Sequence, residues 1–160
     1  MSNNYIVING KKMDLTEEQL KRLGIEVRKN PFERVDDGGR YFYINVHGEV
    51  HQHYDVKYPY EEKLYDVSNY FINEAFANQV ALHQLLYRKL LKFAYDNRCE
   101  AMEESNQYYV NYCPSTKSYT VQIDCGFRAF GTHFSSYEAT ERAINEVVEP
   151  FVKEHPEFVW

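Results

Sequence analysis

Along the chain, short stretches of alternating apolar and polar residues sit beside two longer ones in which apolar residues recur every three or four positions. That mixture of periods predicts an α+β fold. Tyr5-Ile6-Val7-Ile8, Asn9-Gly10 and Lys11-Lys12-Met13 read as a hairpin, because Asn-Gly suits a two-residue turn that needs positive φ. Thr16-Glu-Glu-Gln19 is a capping box that opens a short helix stopping by Gly24. After Pro31 and Asp36-Asp37-Gly38-Gly39, residues 40–45 and 49–54 form the most legible hairpin. A type I turn with Gly48 in the left-handed position pairs Ile44 with Val50 and Tyr43 with His51. Phe42, Ile44, Val50 and Tyr54 then share one face, and Tyr41, Tyr43, His51 and His53 the other.

Residues 54–70 are rich in tyrosine and acid and are broken by Pro59, which predicts an ordered loop over the body. A long amphipathic helix is expected over 73–97, on a stripe of Phe76, Val80, Leu86, Leu90 and Phe93 widened by Ala75, Leu82, Leu85 and Ala94. Three strands follow, over 108–113, 118–125 and 128–134, making a C-terminal antiparallel sheet. Ser135-Ser-Tyr-Glu138 reads as a second capping box before a packed helix, which Pro150 kinks or restarts. Phe158, Val159 and Trp160 are too apolar for a frayed end and are expected to dock on the body. The whole reads as one domain over 1–160, with sub-modules 1–70, 71–99 and 106–160 and no internal repeat.

Composition adds one feature. Fifteen Tyr and ten Phe accompany a single Trp, and tyrosine pairs a large apolar ring with a polar tip suited to contact surfaces. The net charge of −6 includes no basic segment, so direct nucleic-acid binding is not expected. Cys99, Cys113 and Cys125 lack CxxC spacing and read as free thiols of a reducing cytoplasm. No apolar run approaches a membrane span or a signal core.

Candidate chemistry is sparse. His51 and His53 share a strand face, but further ligand spacing is missing, so no metal is expected. His83 and His133 adjoin no nucleophile motif, and no glycine-rich phosphate loop occurs. The expectation is therefore a protein that is not an enzyme and uses no cofactor. Its proposed contact face is Tyr41, Tyr43, His51 and His53 with Tyr58, Tyr60, Glu61, Glu62 and Tyr65 from the adjoining loop. Cover by the central helix would instead make these tyrosines core edge.

Phe130-Gly131-Thr132-His133-Phe134 and the residues to Ala139 resemble, over about fifty C-terminal residues, the three-strand-plus-helix DNA-binding domains of plant ethylene-response factors and phage integrases. Those read DNA with Arg and Trp on the sheet; here Thr120, Gln122 and Asp124 stand outward, so only the fold is implied. Across nearly the whole chain, NGKK, DLTEEQLKRLGIE, PFERV, YFYIN, ALHQLLYRKLLKFA and EPFVKEHPEFVW resemble small accessory proteins of phages and prophages of Firmicutes. That resemblance implies action inside a bacterial host, on a defence component such as a CRISPR effector with a basic surface. Three alternatives stay open: a sponge for a signalling nucleotide, using Arg40, Lys57 and Lys63, a virion assembly protein, and a cryptic enzyme. Self-association is compatible with each.

Overall fold

The computed structural model describes residues 5–8, 10–24, 30–101, 106–124 and 131–160. The fold is α+β, and the described strands pair as two-stranded antiparallel sheets. Strands β1 (Tyr5–Ile8) and β2 (Lys11–Asp14) form the first hairpin, with Gly10 at φ +77° in its turn. Helix α1 (Glu17–Arg22) carries the complete capping box: Thr16 Oγ1 accepts the Gln19 amide, and Gln19 Oε1 accepts the Thr16 amide at 2.8 Å.

Strands β3 (Arg40–Ile44) and β4 (Val50–Tyr54) pair in the expected register, Ile44 opposite Val50, Tyr43 opposite His51 and Tyr41 opposite His53. Asn45 Oδ1 accepts the His47 and Glu49 amides, and Gly48 takes φ +86°, which a Cβ would strain. The stretch expected as loop contains a helix, α2 (Pro59–Asp66). Pro59 stands in its first turn, where a missing N–H leaves nothing unsatisfied, and Glu61 and Glu62 lie near the positive end of the helix dipole. Both signals favour a helix start, although in sequence the same proline punctuates a tyrosine-rich run.

Helix α3 (Glu74–Asp96) is started by Asn73 Oδ1, which accepts the Phe76 amide, and ended by Asn97, whose side-chain amide donates to the Phe93 carbonyl. Leu86, Leu90, Phe93 and Ala94 are buried as expected. Phe76 and Val80 pack on the core as expected, but Ala77 and Ala81 are buried beside them and Ala75 faces solvent, so the stripe is shifted by about one residue, roughly a quarter turn, at its N-terminal end. No described helix is long and apolar enough to cross a membrane.

Strands β5 (Gln107–Cys113) and β6 (Ser118–Asp124) form the C-terminal hairpin. Of the expected third strand, residues 128–130 lie outside the described residues, as do Cys125 and the turn at Gly126. Phe134 supplies one rung beside Tyr108. The second capping box is displaced: Ser136, not Ser135, is the N-cap of α4 (Tyr137–Ala143), and Ser136 Oγ accepts the Ala139 amide. Ser135 is held extended by its amide, which donates to the Cys99 carbonyl at 2.9 Å. A π-helical turn, Ile144–Val148, then widens the helix before α5 (Glu149–Glu154), so Pro150 enters at a restart, as expected.

One plan occurs twice, a repeat hidden in the sequence. Phe42 and Phe71 exchange both backbone hydrogen bonds, at 2.7 and 2.8 Å, and Tyr108 and Phe134 do so at 3.0 and 2.8 Å. Two residues after each buried Phe stands the cap, Asn73 or Ser136, of the helix that covers the preceding hairpin. The N-terminal half of α3 thus packs on Phe42, Ile44 and Phe71, while its C-terminal half joins Phe134, α4 and Phe151 in a second core.

Candidate functional site

The Tyr41/Tyr43 face is covered, but by α2 and Tyr70 rather than by the central helix, which takes the opposite Phe42/Ile44 face. Tyr41 is fully buried and stacks on Tyr70, centroids 4.2 Å apart and planes 7° from parallel. Tyr43 is half-buried and meets Tyr60 edge-on at 6.2 Å. Tyr65 closes the layer edge-on against Tyr70. Two members of the expected contact face are therefore interior: Tyr41 and Glu61 do not reach a partner. The physical reason is the helix. Once residues 59–66 coil, one side must face the sheet, and that side carries Glu61 and Leu64.

Beneath this layer sits Asp55, fully buried and fully engaged. Arg34 Nε donates to Oδ2 at 2.9 Å, Tyr70 Oη donates to the same oxygen at 2.9 Å, and the Lys57 amide donates to Oδ1 at 2.8 Å. Burial alone would raise this carboxyl. The hydrogen bonds from Arg34, Lys57 and Tyr70 outweigh it and hold Asp55 well below the usual carboxylate range. Arg34 also donates to the exposed Glu62 at 2.7 Å, which ties α2 to the loop before β3. Lys57 Nζ is taken up by Asp55 and the Val35 carbonyl, and Arg40 lies over the Phe42 ring. Sequence reasoning missed Arg34, Asp55 and Tyr70 as the group that rigidifies the face.

What remains outside is narrower than expected. Tyr58, Tyr60 and Tyr65 are 66, 52 and 40% exposed. His51 and His53 are exposed on the neighbouring strand, His51 beside Asn45 and Glu49, and His53 with Nδ1 3.9 Å from Glu61 Oε1. Glu62 and Asp66 are exposed on the same helix, and Asp36 and Asp37 are exposed in the loop before β3. Among the described residues, no group of three or more His, Cys, Asp or Glu is placed to hold a metal.

A second feature was not legible in sequence: a cavity of about 490 Å³ between α3 and the start of β5. His83 and Tyr87 of α3, Tyr109 of β5, Thr132, His133 and Trp160 are among its walls. The same His133 meets Tyr109 edge-on at 5.9 Å. No protein-family model, curated protein or solved structure matches the chain.

Proposed function

We propose that this is a non-catalytic binding protein that captures a basic protein surface through the tyrosine-bearing side of α2. The observation that carries the reading is the exposure of Tyr58, Tyr60 and Tyr65 on a helix clamped from below by the Arg34–Asp55–Tyr70 group. Rigid aromatics lose little entropy on contact, and the acidic Glu62 and Asp66 exposed on the same helix favour a cationic partner and steer its approach. In the phage setting that the sequence resemblance implies, the partner is a host defence protein with a nucleic-acid-binding surface, such as a CRISPR effector. Occupying that surface would block its nucleic acid by competition.

The test is capture and inhibition. Immobilised protein is incubated with lysate from a host expressing such an effector, and target cleavage is assayed with and without it. Salt-sensitive capture with loss of cleavage is expected. Tyr58→Ala combined with Tyr60→Ala should abolish both and leave the chain folded, with a modest fall in melting temperature from loss of the Tyr43–Tyr60 contact. Full capture by a well-folded double variant would end the proposal. Self-assembly without capture would favour a virion role.

A further inference from the structure

We infer that the cavity between α3 and β5 is a binding site for an uncharged heteroaromatic molecule of about nucleoside size. Its volume, about 490 Å³, lies in the range of small-molecule sites. Its walls have the composition such sites use, apolar aliphatic surface from Leu86, Leu90 and Val110 beside the rings of Tyr109 and Trp160. Flat π-systems take up a planar ligand by stacking.

Polar groups set the ligand's chemistry. Thr132 Oγ1 and His133 Nε2 are buried, and neither has a hydrogen-bond partner; Asp124 Oδ2 stands 3.9 Å from His133 Nε2, in ion-pair range but beyond a hydrogen bond. Buried groups of this kind are rarely left unsatisfied, and two in adjacent residues of one cavity wall point to a missing polar partner. The other repeat shows the satisfied counterpart. There Tyr70, which precedes Phe71 as His133 precedes Phe134, reaches Asp55 at 2.9 Å. Among the described lining residues there is no Lys or Arg, so none of them offers a phosphate a permanent cation. A neutral ring system with donor and acceptor edges matches these groups better than a charged nucleotide does.

The site is separate from the α2 face, and the two readings fail independently. The full chain is titrated calorimetrically with adenosine, with AMP and with indole. Adenosine should bind saturably at sub-millimolar concentration. AMP, which adds charge, and indole, which lacks acceptor nitrogens, should each bind about tenfold more weakly or worse. Thr132→Val and, separately, His133→Gln should weaken adenosine about tenfold, with folding checked by thermal melting. Tyr58→Ala with Tyr60→Ala should leave adenosine binding unchanged. No saturable adenosine binding, equal binding of AMP, or full affinity in folded Thr132→Val and His133→Gln variants would overturn the proposal.

Discussion

Tyr70 donates its hydroxyl proton to the buried carboxylate of Asp55 at 2.9 Å while its ring lies flat against Tyr41. One side chain thus joins the aromatic layer under α2 to the ionic group below it. Tyr70→Phe keeps the stack and removes the hydrogen bond, so a loss of about 1–2 kcal/mol is expected. Asp55→Asn leaves Arg34 without its buried partner, and a loss of about 3 kcal/mol is expected in urea unfolding at pH 7.

The same group makes stability depend on pH. Asp55 is depressed in the folded chain, so the unfolded chain binds its proton more readily. Its contribution is full above the ordinary aspartate value of about 4 and drains away as pH falls below it. Urea midpoints measured from pH 6 down to pH 2 should fall for the wild type and fall less for Asp55→Asn. Parallel curves for the two would show that Asp55 does not govern the acid limb.

Tyr41 Oη and Glu61 Oε2 are buried without partners, and burial followed by the Glu61 charge pushes the Tyr41 hydroxyl upward. Removing an unsatisfied buried group without changing shape should stabilise. Tyr41→Phe is expected to gain about 1 kcal/mol, and Glu61→Gln to be neutral or gain a similar amount, by denaturant melts. A loss above about 1 kcal/mol for Tyr41→Phe would mean that the hydroxyl has a partner in solution.

The tail gives a graded test. Phe158 is buried in the second core and Trp160 lies edge-on to Tyr119 at 5.2 Å, but Val159, expected to pack, is 66% exposed. Phe158→Ala should cost about 3 kcal/mol and Val159→Ala less than about 0.5 kcal/mol. Equal effects would put the wrong residue in the core.

Among the described cysteines, Cys113 and Cys99 should differ in reactivity. Hydrogen bonds from Ser115 and then Thr116 lower the Cys113 thiol to about 7, whereas burial pushes the Cys99 thiol up. Iodoacetamide labelling of Cys113, followed by mass spectrometry, should rise through a midpoint near pH 7, with Cys99 protected until the chain unfolds. Faster labelling of Cys99 would reverse the assignment.

Local chemistry was the legible part of this fold. Asn9-Gly10, Asn45 with Gly48, Thr16 with Gln19 and the stripe from Leu86 to Phe93 each specify structure through neighbours a few residues away. What escaped depends on distant partners. Whether Tyr41 is a contact residue or a core residue turns on Tyr70, and the carboxylate of Asp55 finds Arg34 across 21 positions. The repeat escaped because its signature is a single Phe with a cap two positions on. The cavity escaped because its walls come from α3, β5, the segment before Phe134 and the tail.

The side-chain amide of Gln79 has a kinetic consequence. It donates to the Glu157 carbonyl at 2.7 Å and accepts the Val159 amide at 2.9 Å, a contact that spans 80 residues of chain. The two hairpin-and-helix units close far shorter loops, so their ordering costs less entropy and comes earlier on the route to the native state. On that argument the strap across α3 is expected to form after the barrier, as a latch. Gln79→Ala should quicken unfolding while leaving the refolding rate nearly unchanged. Loss of that bond would then shorten the lifetime of the folded state without touching the face proposed to bind.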